Sequence, residues 1–303
     1  MTVTVVGSIA FDAVKTPFGE RERMLGGSAV HFSLAASFFG DVRVVGPVGD
    51  DFGDAELAVL HARGVDTEDV ERIPGGKTFF WRGHYDFDLN TAHTDETQLN
   101  VFGDFAPKLS LASRDCDVLF LANIQPDLQR QVREQCEGAR LAGLDSMNLW
   151  IETARDSLVE TIEGVDGLLL NDAELRQLTG QPNLVRAARE VMSWGPQLVV
   201  AKQGEYGAAL FHGDEFFALP AYPLEDVVDP TGAGDSFAGG FVGYLAANPG
   251  ELDAEVLRRA MAHGTALASF NVSEFGTERV ARLTDDEVRE RVAELHRLTT
   301  FAV

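Results

Sequence analysis

Lysine, cysteine and long apolar runs are all scarce in this chain, and each scarcity excludes something. Four of 303 residues are lysine (Lys15, Lys77, Lys108, Lys202), and two are cysteine, Cys116 and Cys136. Two cysteines without metal-ligand spacing rule out a disulfide framework or a thiolate zinc site; reduced, partly buried thiols are expected. Seven histidines include no His-x-x-x-His pair, which argues against a dedicated transition-metal site. No apolar run approaches the ~20 residues that span a bilayer. The start, Met1-Thr2-Val3-Thr4-Val5-Val6-Gly7, lacks a basic region and a cleavage site and reads as a first strand, so the cytoplasm is the expected compartment. No Gly-rich loop ends in Gly-Lys-Ser/Thr, which excludes a Walker-type NTPase. Positive charge is in deficit, with 25 Lys and Arg against 48 Asp and Glu and a net charge of −23. Such a surface repels nucleic acid and anionic membranes. It would also repel ATP, unless a site gathers local positive potential and magnesium.

Short β-branched or apolar runs alternate with helical patterns, as in parallel βα units. Strands are expected at Val3–Val6, Val42–Val45, Val118–Leu121, Leu141–Leu144, Gly167–Leu170 and Leu198–Ala201. Most are apolar at consecutive positions, which suits strands covered on both faces. Helices are expected at Ser28–Phe39, Asp54–Arg63, Asp127–Glu137, Leu184–Ser193, Asp235–Ala247, Ala254–Phe270 and Asp285–Arg297. Lys77–Tyr85 and Thr97–Phe105, joined through a polar tip, break the rhythm and read as a hairpin or ribbon. With Phe11–Leu25 they would form a small sheet over the mouth of the main one. That sheet is either a lid that excludes water or an immobile edge hairpin. An open, aromatic-bearing ribbon also leaves edges to cover, so a homodimer through it is expected. The expectation is thus a single α/β domain over residues 1–303, with a β lid formed by about 11–25 and 77–105.

The most informative run is Asp229-Pro230-Thr231-Gly232-Ala233-Gly234-Asp235, leading into Ser236-Phe237-Ala238-Gly239-Gly240-Phe241. It sets a flexible turn before an apolar helix, with a carboxylate at the junction. A helix start exposes unpaired N–H groups and the positive end of the backbone dipole. Phosphoryl transfer to an alcohol needs such donors beside a base for the hydroxyl proton. The competing reading is a tight turn whose aspartate caps the helix. Phe237 stands where a dinucleotide fingerprint needs its third glycine, which disfavours a dehydrogenase.

With three further segments, this run resembles the ribokinase-like, or PfkB, carbohydrate kinase family over essentially the whole chain. The others are Gly26-Gly27-Ser28-Ala29 after a first strand ending Gly7-Ser8-Ile9-Ala10-Phe11-Asp12, then Asn171-Asp172-Ala173-Glu174, then Lys202-Gln203-Gly204-Glu205-Tyr206-Gly207. The resemblance implies a three-layer α/β sandwich with a mostly parallel central sheet and a small β lid. It implies an ATP- and Mg²⁺-dependent kinase acting on a hydroxyl of a sugar, with a nucleoside or inositol as rival acceptor. A non-catalytic nucleotide- or sugar-binding regulator is the alternative from another class. By position, Asp235 would be the base and the N–H groups of Gly232, Ala233 and Gly234 the anion hole. Asp12, Gly26, Gly27 and His31 would hold the acceptor. Asn171, Lys202, Gly204, Gly207 and Thr231 would border the nucleotide. Glu174 would organise Mg²⁺ through water, and Asp229, with Gly276 in the matching C-terminal region, a monovalent cation such as K⁺. His31 replaces the asparagine common in ribokinases and fructokinases; it either reads a hydroxyl or is a satisfied core residue. Asn171 with Glu174 is also a capping box, and Gly204 and Gly207 also suit a plain turn. The Leu144–Trp150 stretch lacks the arginine of fructokinase-like members, which argues against fructose.

Overall fold

The computed structural model describes residues 1–301. Thirteen strands form two sheets. In chain order they are β1 (Thr2–Val6), β2 (Ala10–Thr16), β3 (Gly19–Gly26), β4 (Asp41–Val48), β5 (Val70–Arg72), β6 (Phe79–Tyr85), β7 (Ala92–Gln98), β8 (Val118–Leu121), β9 (Leu141–Leu144), β10 (Gly167–Asn171), β11 (Leu198–Lys202), β12 (Ala208–His212) and β13 (Glu215–Leu219). Nine of them make the main sheet in the order β13-β12-β11-β10-β9-β8-β1-β4-β5. From β5 to β11 every pairing is parallel; β12 and β13 add antiparallel strands at one edge. The six expected strands all appear, and both faces of this sheet are covered by buried apolar clusters. This covering explains why the central strands carry runs such as Val118–Leu121 without polar alternation. Cys116 and Cys136 are buried free thiols. Among the described residues no helix is long and apolar enough to cross a membrane.

The small sheet has the order β3-β2-β6-β7. β2 leaves β1 after a three-residue link, so the main sheet feeds directly into the small one. The sequence reading of its hairpin needs one correction. The second arm is Ala92–Gln98, not Thr97–Phe105, of which Asn100–Asp104 is a 3₁₀ turn. β7 reads Ala-His-Thr-Asp-Glu-Thr-Gln and is exposed at nearly every position. Its strand character comes from pairing with β6, which composition alone does not reveal.

The Ala233–Ala247 helix is packed unusually closely on both sides. A Cβ built at Gly239 would lie 2.3 Å from the Phe32 carbonyl oxygen of the Ser28–Ala36 helix, and one at Gly243 would lie 3.1 Å from Ala36 Cα. On another face, Gly240 and Gly264 bring the Ala254–Asn271 helix equally close. The mid-helix glycines therefore serve helix–helix contact, with Phe32, Phe241 and Leu245 filling the core around them.

Gly239→Ala tests this packing. Helix propensity alone would favour alanine by about 1 kcal/mol, whereas overpacking against rigid backbone costs about 1–3 kcal/mol. Urea unfolding is expected to show net destabilisation; a stabilised variant would contradict the close contact.

Candidate active site

The carboxyl ends of the central parallel strands bring charged residues to one edge. Asp145 follows β9, Asn171 ends β10 and Lys202 ends β11, with Asn171 and Lys202 paired across the sheet. In open α/β sheets this edge is where ligands bind, because strand ends and helix starts converge there. Lys202 Nζ donates to Asp145 Oδ2 at 2.6 Å, and both side chains are largely buried. The same ammonium is what a Cβ at Gly234 would meet, at 3.0 Å. Lys202 thus lies between the strand ends and the first turn of the Ala233–Ala247 helix.

That helix opens at Gly232, held in the left-handed region with φ 75°. A Cβ there would sit 2.4 Å from the His31 ring, so glycine is required twice over. The anion-hole expectation needs a correction here. The Ala233 N–H donates to the Pro230 carbonyl at 3.1 Å, while among the described residues the Gly232 and Gly234 N–H groups have no backbone acceptor. Thr231 N–H donates to Asp229 Oδ1 at 2.9 Å, and Gly276 N–H donates to Asp229 Oδ2 at 2.9 Å. Fully buried Asp229 therefore staples the turn to the segment after the Ala254–Asn271 helix.

Asp235 is half-buried in the first turn. Burial raises its pKa above the ordinary carboxylate range, while Lys202 and its own backbone N–H pull it back. Asp12 comes from β2 and is 5% exposed. A Cβ at Gly26 would overlap its carboxylate, at 1.9 Å. Burial pushes Asp12 up to about 7; the Asp229 and Asp235 charges add to this and the Gly27 N–H opposes it. His31 is also buried. Its Nδ1 lies 3.0 Å from Asn271 Oδ1, which also accepts from Ser236 Oγ at 3.0 Å, while Asn271 Nδ2 donates to the Thr231 carbonyl at 2.7 Å. Because Asn271 Oδ1 can only accept, His31 carries its proton on Nδ1, and Nε2 is a bare acceptor. That Nε2 is buried and has no hydrogen-bond partner among the described residues. Burial lowers the His31 pKa, which keeps the ring neutral.

On the other side, Asn171 and Glu174 form a full capping box: Asn171 Oδ1 accepts from Glu174 N–H at 2.7 Å, and Glu174 Oε2 accepts from Asn171 N–H at 2.9 Å. Burial raises Glu174 to about 7, with Asp145 adding to the rise and Lys202 opposing it. Asp145 is raised to about 6 by burial despite its ion pair, because Asp235 also repels it and Lys202 is shared. Of the remaining glycines, Gly204 opens the turn after β11 at φ 56°. At Gly207, with φ 101°, a Cβ would strike the Leu219 carbonyl oxygen at 2.0 Å, so glycine is a packing need there, and its N–H donates to the Gly204 carbonyl at 3.1 Å. The small sheet spans the cleft. Tyr85 Oη lies 3.2 Å from Thr231 Oγ1, and Asn90 Nδ2 donates to Glu205 Oε1 at 3.3 Å.

Asp145 was missed as a site residue, although an acidic residue directly after the apolar Leu141–Leu144 run was a readable signal. Asn271 gave none, being the last residue of a long helix. As to magnesium, the carboxylate oxygens of Glu174 and Asp145 are hard donors of the kind that suit Mg²⁺. The residues present fit the ion.

These carboxyls set a pH dependence. Ordinary values of 3.8 and 4.5 in the unfolded chain rise on folding to about 7 for Asp12 and Glu174 and about 6 for Asp145. Between these limits the folded state binds more protons, so unliganded stability falls as pH rises. In urea unfolding, Asp12→Asn should lose less stability than the parent protein between about pH 5 and about pH 7. An unchanged difference would place the Asp12 carboxyl at its ordinary value.

Comparison with known proteins places this arrangement. Residues 3–282 match the model of the pfkB family carbohydrate kinases. A cytidine kinase of Thermococcus kodakarensis is 31% identical over 257 residues, covering 82% of this chain and 90% of that one. The fold is shared with a nucleoside kinase of Methanocaldococcus jannaschii described as an archaeal member of the ribokinase family (TM-score 0.79, 20% identity, 97% and 98% coverage). It is also shared with a putative Ribokinase II from E. coli solved in complex with ATP and Mg²⁺ (TM-score 0.77, 21% identity, 97% and 99% coverage). The chain belongs to the pfkB family of carbohydrate kinases, ATP-dependent enzymes that phosphorylate a hydroxyl, and it has the ribokinase-like fold.

Proposed function

We propose that this protein transfers the γ-phosphoryl group of ATP to a hydroxyl of a pentose ring carried by a nucleoside, with Asp235 as the base. The observation that carries the reading is the placement of Asp235 immediately after the Gly234 N–H, with Lys202 against that glycine. The acceptor hydroxyl gives its proton to the Asp235 carboxylate. A raised pKa makes that carboxylate a better proton acceptor than an exposed one. Charge on the transferring group meets the Gly232 and Gly234 N–H donors and the positive helix start, each good donor contributing about 3 kcal/mol. Lys202 adds a positive point charge among the carboxylates.

The acceptor is held from two sides. The Asp12 carboxylate, against Gly26 and the Gly27 N–H, accepts from one ring hydroxyl, and the bare His31 Nε2 accepts from another. A buried acceptor without a partner is costly, so a substrate hydroxyl that fills it contributes to specificity. Asn171, Thr231 and Gly204 border the nucleotide in this reading. Glu174 and Asp145 would hold Mg²⁺, which when bound neutralises charge on the phosphates. Among the described residues Asp229 has two N–H donors but no cationic side chain, so a monovalent ion such as K⁺ beside it would balance its buried charge. Closure of the small sheet, through Tyr85 on Thr231, would exclude water; its exposed outer strands β3 and β7 suit a homodimer interface.

The nucleoside is supported by the 31% identical cytidine kinase. A free sugar is the second reading, supported by the fold shared with the E. coli protein called a putative Ribokinase II.

Asp235→Asn is expected to lower turnover at least ~100-fold while ATP still binds; near-normal turnover would remove Asp235 as the base. His31→Leu should raise the acceptor KM about tenfold or more with a smaller change in kcat, because the hydroxyl loses its partner. A coupled ADP-release assay over cytidine, other nucleosides, ribose, hexoses and inositols decides the acceptor. Highest kcat/KM with a nucleoside supports the main reading, and highest with ribose supports the second.

A further inference from the structure

The outer face of the small sheet carries a side-chain group that the kinase reading does not use. His84 on β6 and His93 on β7 are direct cross-strand partners. Their rings stack at 4.9 Å with an interplanar angle of 19°. One ligand atom each from His84, His93 and Asp86 lie within 4.8 Å of one another. The His84 Nδ1 donates to Asp95, 2.9 Å from Oδ1 and 3.0 Å from Oδ2. His93 Nε2 lies 3.0 Å from Asp86 Oδ2. All four side chains are accessible, from 41% exposed at His84 to 71% at Asp86.

We propose that this cluster is a binding site for a divalent transition ion of the zinc class, with His84 Nε2, His93 Nε2 and an Asp86 oxygen as ligands. Two imidazoles and one carboxylate are a donor set that suits Zn²⁺ rather than Mg²⁺ or Ca²⁺. The hydrogen bond to Asp95 holds the His84 proton on Nδ1 and leaves Nε2 free as a donor to the metal, the carboxylate–histidine arrangement that orients metal-bound imidazoles. The register slips by one at Asp95, a β-bulge in β7 that leaves this residue without a cross-strand partner of its own. Bonds of about 2.0–2.2 Å to Zn²⁺ put two tetrahedral ligands roughly 3.3 Å apart, close to the present His93–Asp86 separation. The ion would take the place of the hydrogen bond between His93 Nε2 and Asp86, the neutral ring keeping its one proton on Nδ1, and water would complete its coordination.

The site also has a mechanical consequence. His84 and Asp86 flank Tyr85, whose hydroxyl reaches Thr231 beside the helix start. Strand alternation sends the flanking side chains to the opposite face from Tyr85. An ion bridging β6 and β7 there would tie down the strand end that meets Thr231.

Titration of the full-length protein with Zn²⁺ alone, followed by calorimetry, should show one ion bound per chain. The double variant His84→Gln, His93→Gln should bind at least ~10-fold more weakly, and Asp95→Asn, which removes only the orienting partner, about 10-fold more weakly. Neither variant touches the Asp235 cleft, so ADP release without Zn²⁺ should be unchanged, which also checks folding. Amide hydrogen exchange in β6 and β7 should slow when Zn²⁺ binds to the parent protein. Absence of saturable binding, undiminished binding by the double variant, or binding without protection of the hairpin would each overturn the proposal.

Discussion

One shared lysine governs the cleft. Asp145, Glu174 and Asp235 converge on Lys202, and beyond it Asp12 and Asp229 add further negative charge. Burial tends to discharge Lys202, but Asp145 and Glu174 outweigh it and raise its pKa. The lysine cannot do the same for each of its neighbours. Asp145 remains raised although it makes a 2.6 Å ion pair, since burial and Asp235 act against it. Breaking a buried pair of this kind strands the remaining charge and costs about 3–5 kcal/mol. A cleft so rich in carboxylates, in a protein of net charge −23, would accept an anionic nucleotide only together with cations. In the function proposed above, the crowding that is unfavourable in the empty cleft would favour a metal-bound phosphate chain.

The fold supplies the rigidity this requires. Parallel strands end in register, so residues distant in sequence arrive side by side, as Asn171 and Lys202 do. The helix that carries Asp235 is fixed by glycine contacts with two other helices, and its first turn is tied to the far end of one of them through Asn271. Asn271 also fixes the tautomer of His31, while the His31 ring fills the space over Gly232 that a side chain would otherwise occupy. Changes in the helix core would therefore be felt at Asp235 in its first turn. Packing here is rigid enough to transmit small displacements.

The small sheet spans the same cleft. It grows out of β1 through β2, which carries Asp12, and touches the turn at Thr231 and at Glu205 by polar contacts, with Thr16 Oγ1 also donating to the Val228 carbonyl at 2.9 Å. Its outward face carries paired histidines and carboxylates. Opposite faces of the same strand end thus serve the cleft and an independent ion site.

Local chemistry was legible from the chain alone. Apolar runs marked the buried parallel strands because such strands are covered on both faces, and the Gly-Ala-Gly-Asp turn before an apolar run announced a helix start with an acidic residue in its first turn. The Asn171–Glu174 capping box was readable for the same reason: it depends on residues three apart. Other features were settled by contacts between segments far apart in sequence. These include the bond that consumes the Ala233 N–H, the Asn271 partner that decides which His31 nitrogen is bare, and the sharing of Lys202 among three carboxylates. β7 lay beyond reach because its polar sequence becomes a strand only by pairing with β6. The His84–His93 pair was hidden likewise, since a hairpin register, not a helical spacing, brings the rings together. Sequence fixes what a residue can do with its near neighbours; which distant group it meets is decided only when the chain closes on itself.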